Sequence, residues 1–152
     1  MLSKIDKLIL SELQRDASQS SAEIAAKVGS SQTVCWRRIQ KLESDGYIKK
    51  RVALLDPEKL GLGTIVFAHI KLSAHGRANL DQFSKEIQSI SRVVECYCLM
   101  GDQDFYAKVL VKDVYDYERL FFDKLSKIPG VAEVKSTMAL SHIKNTSEIP
   151  IE

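Results

Sequence analysis

The sequence predicts an α+β protein in which an N-terminal winged helix-turn-helix precedes a C-terminal ferredoxin-like βαββαβ domain. Apolar residues recur at helical spacing through the first third of the chain, with capping residues before each run. A turn-rich segment near residue 60 then divides the chain. Beyond it, strand-like and helix-like runs alternate in the order of the split βαβ motif.

Composition favours a cytoplasmic protein that is not inserted in a membrane. The 152 residues include 45% hydrophobic and 28% charged residues, with a net charge of +2. No apolar run reaches the roughly 20 residues of a membrane span, and the N-terminus lacks the pattern of a signal peptide. Cys35, Cys96 and Cys98 have no disulfide-framework spacing, so we expect reduced thiols.

The first third of the chain predicts three short helices. Ile5, Leu8, Ile9 and Leu13 have helical spacing, which predicts a helix over residues 4–15. Residues 20–23 form a capping-box pattern that opens a second helix of barely two turns, since a glycine at position 29 can end it. Such a short helix must pack on its neighbours to be stable.

The third helix has the features of a DNA-recognition helix. Ser30 or Ser31 can cap it, Cys35, Ile39 and Leu42 form its apolar stripe, and Gly46 ends it. The opposite side is polar and aromatic near the N-terminus, where a recognition helix contacts DNA. The candidate contacts are Ser31, Gln32, Thr33, Trp36, Arg37 and Gln40. Trp36 could enter a groove or cover the helix stack, and a three-helix domain that only packs is the alternative.

Cations around this helix suggest a polyanionic partner. Residues 1–61 carry a net charge of +3 and residues 62–152 a net charge of −1. Arg37 and Arg38 point about 100° apart on a helix, so Arg37 could contact DNA while Arg38 binds DNA or an intradomain carboxylate. Further candidates for phosphate contact, or for a merely solvated run of charge, are Lys41, Lys49, Lys50 and Arg51.

The remaining chain predicts a hinge and a second domain. We expect the helix-turn-helix domain over residues 1–52, a hinge strand and linker over 53–63, and a dimerisation and effector domain over 64–152. The expected elements are strands at 64–72, 93–100, 105–111 and 131–143, and helices from about residue 77 and around residues 117–125.

Both faces of the predicted sheet are apolar, which predicts a dimer. The first strand has Val66, Ala68 and Ile70 on one side, with Ile65 and Phe67 on the other. The two helices can cover only one side, so we infer that a second subunit covers the other. A homodimer presents two reading heads, as a palindromic operator in double-stranded DNA requires.

Taken together, these segments resemble the Lrp/AsnC (feast/famine) family of bacterial and archaeal regulators over nearly the whole chain. The resemblance is carried by residues 6–15, residues 31–43, the Ala-Leu-Leu-Asp-Pro run at 53–57 and the Gly-Asp-Gln-Asp-Phe turn at 101–105. The closing Ile-Pro-Ile-Glu resembles the subgroup linked to cysteine, proline and branched-chain amino acids. The resemblance implies a regulator that assembles beyond dimers, commonly to octamers, and binds an amino acid between dimers.

Carried over to this chain, the resemblance places the effector at the turn after the second strand. The residues implied are Gly101, Asp102, Gln103, Asp104 and Thr137. Glycine lets backbone amides converge on a carboxylate, and an aspartate can pair with an ammonium group. The alternative is that Asp102 and Asp104 only form a hairpin turn. Gln103 stands where the family often has tyrosine, which affects pocket size and the identity of the effector.

We expect neither an enzyme nor a resident cofactor or metal. The sequence has no glycine-rich phosphate loop and no nucleophile motif. Cys96 and Cys98 share a strand face, but a four-ligand metal site would need further ligands nearby. Two alternative functions remain at this point, namely an architectural DNA-binding protein without an effector and a ferredoxin-like carrier or enzyme.

Overall fold

The computed structural model describes residues 2–74 and 76–152, which form two compact units. The first unit joins the residues up to Leu54 with Lys144–Glu152, and the second is Leu55–Ile143. Residues 144–152, which we call the C-terminal tail, group by their contacts with the first unit. Among the described helices, none combines the length and apolar content needed to cross a membrane.

The first unit, which we call the head, contains three helices. They are α1 (Lys4–Arg15), α2 (Ser21–Val28) and α3 (Gln32–Ser44). Their apolar stripes meet in one core, as the spacing predicted; its buried members are Ile9, Leu13, Ile24, Ala25, Cys35, Ile39 and Leu42. Each helix has a serine N-cap, whose side chain accepts from a backbone amide of the first turn and fixes where the helix begins.

The start of α2 and the turn between α2 and α3 both have the chemistry that the sequence predicted. The Ser20 amide donates to the Glu23 carboxylate at 2.7 Å, and the Glu23 amide donates to the Ser20 hydroxyl at 3.3 Å. Gly29 ends α2 with a φ of 67°, a left-handed conformation that glycine adopts without steric cost. Ser31 then caps α3 after only three residues, which sets α3 against α2 as a helix-turn-helix.

The expected wing strand and hinge strand are not formed. Among the described residues, the first strand along the chain begins at Thr64. Residues 49–55 are exposed and unpaired by any strand. An extended segment becomes a strand only when a second segment shares its backbone hydrogen bonds, and no such partner lies beside this one.

The second unit has the predicted βαββαβ order. It consists of β1 (Thr64–Leu72), α4 (Arg77–Gln88), β2 (Val93–Cys98), β3 (Phe105–Val111), α5 (Val114–Asp123), a 3₁₀ turn (Leu125–Lys127) and β4 (Val131–Met138). The strands form one sheet in the order β2-β3-β1-β4, and all three pairings are antiparallel. The ferredoxin-like prediction is thereby confirmed.

Strand β4 ends at Met138, whereas the apolar pattern had predicted a strand that continues to Ile143. Met138 pairs with Val66, and the Ala139 amide still donates to the Ile65 carbonyl at 3.0 Å. Because β1 begins at Thr64, the residues beyond have no strand to pair with. Pairing therefore decides where β4 ends.

The two sheet faces differ in packing. Alternate residues of β1 and β3 are fully buried beneath α4 and α5, around Phe83. The other face carries an aromatic cluster centred on Tyr106, whose ring lies 5.6 Å from Phe67, 5.3 Å from His69 and 6.3 Å from Tyr97. We call this the aromatic face; Phe67, His69 and Tyr106 are only partly buried on it.

Candidate DNA-binding and effector sites

Helix α3 presents a polar face to solvent. Cys35, Ile39 and Leu42 fix the opposite side in the core of the head. The exposed residues include Gln32, Thr33, Trp36, Arg37 and Gln40. Trp36 is 57% exposed, so it does not cover the helix stack, and the structure leaves its ring available to a partner. The Ser31 hydroxyl accepts from the Val34 amide at 3.3 Å and acts as the cap of the helix.

The two adjacent arginines of α3 have different surroundings. Arg38 donates to the Asp6 carboxylate of α1 at 2.8 Å and to the Ser3 hydroxyl at 3.1 Å. Arg37 is exposed and makes no ion pair with any described residue within 4 Å. Of the two possibilities for Arg38, the structure therefore favours the intradomain carboxylate, and Arg37 remains the arginine available to DNA.

Burial and hydrogen bonding act against each other on the Asp6 carboxyl. Burial works to raise its pKa, but hydrogen bonds from Ser3 and Arg38 outweigh that effect. The pKa therefore lies below the ordinary value of 3.8. Asp6 is thus an ionised anchor that ties the start of α1 to the middle of α3.

Some of the cations near α3 are committed to partners within the head. Lys41 pairs with Asp45 at 3.0 Å, and Arg51 pairs with Glu43 at 2.8 Å. Lys49 and Lys50 are exposed and have no ion-pair partner within 4 Å in the described part of the chain. The unneutralised cations of this surface are thus Arg37, Lys49 and Lys50.

The turn at residues 101–104 joins β2 to β3 and is held by backbone bonds. The Leu99 amide donates to the Asp104 carbonyl at 2.8 Å, and the Asp104 amide donates to the Ile70 carbonyl at 3.0 Å. Gly101 has a φ of 151°, and a Cβ placed there would meet open space. This opening leaves the backbone of the turn accessible from outside.

The two aspartates of this turn have different environments. The Asp104 carboxylate accepts the Leu72 amide at 2.7 Å, at the point where the β1–β4 register shifts. Asp104 thus fastens the end of β1 to the turn, which matches the hairpin interpretation for this residue. Asp102 is exposed. The Oε1 atom of Gln103 is buried without a hydrogen-bond partner among the described residues, which is a costly state for a polar atom.

Thr137 does not lie beside the turn within one chain, although the sequence analysis expected it nearby. It pairs with Phe67, whereas the turn begins beside Ile70, whose partner on β4 is Val134. An offset of three residues along the sheet and two strands across it amounts to about 14 Å. The hydroxyl of Thr137 contacts the Phe67 carbonyl at 3.5 Å.

The edge strand β2 borders a second opening. Cys96 and Cys98 pair with Ala107 and Phe105, so they lie on the sheet face that carries the helices. They line a cavity of about 410 Å³ between β2 and α4. Burial, together with the neighbouring Cys98, raises the pKa of the Cys96 thiol. Among the described residues, no group of three potential ligands could hold a metal ion.

Sequence reasoning missed two features of these sites. One is Gln14 of α1, whose side chain bonds to the C-terminal tail, 135 residues away. The other is the aromatic face, of which the alternation of β1 and β3 indicated the apolar positions but not the ring contacts. The alternation of side chains along β1 and β3 could have located the aromatic face, whereas nothing in the local sequence marks Gln14 as the partner of the tail.

Two family models match the chain, one over the head helices and one over the second unit together with residues 144–149 of the C-terminal tail. The model described as "Winged helix-turn-helix DNA-binding" matches residues 2–49, and the model described as "Lrp/AsnC ligand binding domain" matches residues 65–149. Together they cover the head helices and all four strands.

Similar proteins span the full length of the chain. It is 38% identical to the "Glutamate uptake regulatory protein" of Zymomonas mobilis, over 99% of this chain and 93% of the relative. A solved AsnC family transcriptional regulator from Agrobacterium tumefaciens is 40% identical, with a TM-score of 0.94 over 98% of this chain and 97% of that one. The transcriptional regulator NMB0573 from Neisseria meningitidis, solved with L-Met, is 27% identical, with a TM-score of 0.95 over 99% and 97% of the two chains.

Proposed function

The chain belongs to the Lrp/AsnC family of transcription regulators, and from that premise we propose which residues carry its DNA binding and its response to a small amino acid. The observation that carries the proposal is the difference between the two sides of α3. One side of this helix is buried in the head, and the other presents polar groups and an unpaired arginine.

We propose that α3 enters the major groove of double-stranded DNA. Arg37 is suited to a bidentate contact with guanine or to a phosphate, and Lys49 and Lys50 to phosphates. The other contacts proposed are Ser31, Gln32, Thr33, Trp36 and Gln40. Arg38 and Lys41 complete the proposed set as secondary contacts, since each already pairs with a carboxylate of the head.

A homodimer would bring two heads to one palindromic operator. The aromatic face supports this assembly, because its apolar rings are only partly buried in one chain and a second copy would remove them from water. Family resemblance extends the proposal to higher assemblies, up to octamers. We propose that the protein acts in the cytoplasm, where it binds DNA.

We propose that a small amino acid binds at the turn at residues 101–104 and changes DNA binding or assembly. The buried Oε1 of Gln103 lacks a donor, and an effector ammonium or amide group could supply it. Asp102 adds an exposed carboxylate, and the opening at Gly101 gives access to backbone amides. Thr137 could join this site only from another copy. The L-Met complex of the Neisseria neighbour supports an amino acid as the class of effector.

Fluorescence anisotropy tests the proposal. The full chain is titrated onto its own upstream DNA and onto a scrambled duplex of equal length, with each of the common amino acids added in turn. We expect selective binding to the native duplex and a change in Kd of about 5- to 150-fold with one amino acid. Equal binding to both duplexes, with no response to any amino acid, would instead indicate an architectural DNA-binding protein.

A further inference from the structure

We propose that the C-terminal tail is a reversible latch on the DNA-binding head, and that through it the state of the second domain reaches α1. Five residues, 139–143, separate the tail from β4 in the chain, yet the tail packs with the head. The coupling part of this inference rests on the proposed response to an amino acid, whereas the docking part does not.

The side chain of Gln14 makes two hydrogen bonds to the backbone of the tail. The Gln14 carboxamide donates to the Ile149 carbonyl at 3.0 Å and accepts the Ile149 amide at 2.9 Å. Both backbone polar groups of Ile149 are satisfied in this way, as they would be by a neighbouring strand. A carboxamide has a donor nitrogen and an acceptor oxygen on the same carbon, so Gln14 is chemically matched to the N–H and C=O groups of an extended peptide.

An apolar groove lies beside this contact. Leu2, Leu10, Leu13, Tyr47 and Ile48 line a cavity of about 540 Å³ on the head, and Ile149 and Ile151 line it from the tail. Ile151 is half-buried. Lys49, Lys50 and Arg51 also border the groove, so the docked tail adjoins the segment that carries the proposed phosphate contacts.

The docking is light enough to be reversible. The Ile149 side chain is 71% exposed, and the Arg15–Glu148 ion pair is long, at 3.9 Å, and exposed. A few exposed hydrogen bonds and one half-buried isoleucine make a segment that opens far more easily than a helix of the core. Such a contact suits a latch that alternates between docked and released states.

The connection between β4 and the latch is short. Strand β4 ends at Met138, and residues 139–146 separate it from the docked segment. Eight residues reach at most about 28 Å when fully extended. A rearrangement of β4, which carries Thr137, therefore has a short covalent route to the docked tail, and lengthening this connection would weaken that effect.

Hydrogen exchange on the full chain tests the docking. Gln14→Ala should speed exchange of the Ile149 amide about fivefold or more, because it removes the acceptor of that amide. Gln88→Ala is the matched control, since this exposed glutamine bonds to Ser84 of its own helix and to no residue of the tail among those described. An Ile149 amide that exchanges equally fast in the wild type and in Gln14→Ala would overturn the latch, whatever the effector proves to be.

An insertion tests the coupling. A four-residue Gly-Ser-Gly-Ser insertion after Leu140, which is fully exposed, lengthens the connection between β4 and the tail while leaving Gln14 and Ile149 unchanged. The probe is the amino acid that shifts Kd in wild-type anisotropy. We expect unchanged Kd without it, unchanged protection of Ile149, and a shift reduced to less than about twofold. A full shift in the lengthened chain would overturn the coupling.

These measurements separate the two proposals. If no amino acid shifts the wild-type Kd, the proposed effector response fails and the coupling fails with it, while hydrogen exchange still decides whether the tail docks. A synthetic peptide of residues 144–152 gives a second check. It should bind a chain truncated after residue 143 and should not bind the same truncation carrying Gln14→Ala; equal binding to both would contradict Gln14 as the anchor.

Discussion

At the scale of single residues, Arg37 and Arg38 show how one helical step separates two functions. The step of about 100° turns Arg37 toward solvent and Arg38 toward α1. Arg38 meets Asp6 and Ser3, so its charge is already compensated, whereas Arg37 has no described ion-pair partner. Adjacent residues of the same type should therefore respond differently to the same substitution.

Arg37→Ala should weaken binding to the upstream DNA by about 1–3 kcal/mol, or about 5- to 150-fold in Kd, because a contact to base or phosphate is lost. The thermal midpoint of the protein should stay within a degree or two, because the side chain is exposed. Anisotropy and a thermal melt measure the two effects. Unchanged affinity would remove Arg37 from the proposed contacts.

Asp6 should link the stability of the head to pH. Its lowered pKa means that the folded state favours the carboxylate. This contribution is present above the unfolded pKa of about 4 and is lost as pH falls through the lower folded value. We expect Asp6→Asn to be less stable than the wild type at pH 6, with the difference shrinking as the pH drops below about 4. A difference in thermal midpoint that is constant from pH 6 to pH 3 would contradict this.

At the scale of elements, the turn at residues 101–104 both holds the end of a strand and carries residues of the proposed effector site. Asp104 fastens the end of β1, and the turn also carries Gln103, with its unpartnered Oε1. The strands thus fix the turn from both sides, while its outward groups stay available. Substitutions here should affect stability and the amino-acid response to different degrees.

Asp104→Ala should destabilise the second domain by about 1–2 kcal/mol, because the Leu72 amide loses its acceptor. Asp104→Asn should recover most of that loss, since an amide oxygen can accept the same bond. DNA binding should be spared in both, while the amino-acid response is blunted in Asp104→Ala. Chemical unfolding and anisotropy separate the two effects, and equal stability of wild type and Asp104→Ala would refute the fastening role.

At the scale of the whole molecule, the aromatic face connects the fold to the proposed assembly. One side of the sheet is covered by α4 and α5 around Phe83, and the other carries the partly buried rings around Tyr106. Burying such rings against a second copy is the strongest contribution that this face can make to a dimer.

Tyr106→Glu should convert a dimer to monomers at micromolar concentration, because a carboxylate would be desolvated at the interface. Tyr115→Glu is the control, as this tyrosine is exposed on α5. Sedimentation velocity measures the result. A dimer that persists in Tyr106→Glu and dissociates in Tyr115→Glu would place the interface on the helical side.

Local chemistry made the helices and most strands predictable. The serine caps and the left-handed Gly29 act within a few residues, so the bounds of α1 and the turn between α2 and α3 could be predicted from spacing. The strand pattern gave β1 and β3 as the structure has them. The order of the elements and the exposed face of α3 followed in turn, and with them the site proposed for DNA.

Tertiary structure decided what depended on distant partners. β4 stops within two residues of the start of β1, and the expected wing and hinge strands pair with no strand in the described part of the chain. Asp6 forms its ion pair with Arg38 and not with Arg37, and Gln14 hydrogen-bonds to Ile149, which is 135 residues away in the sequence. A hydrogen bond or ion pair needs two groups at a fixed geometry, and a local sequence pattern describes only one of them. The sequence by itself therefore determined the order of helices and strands, whereas the tertiary structure determined which distant residues bond to each other.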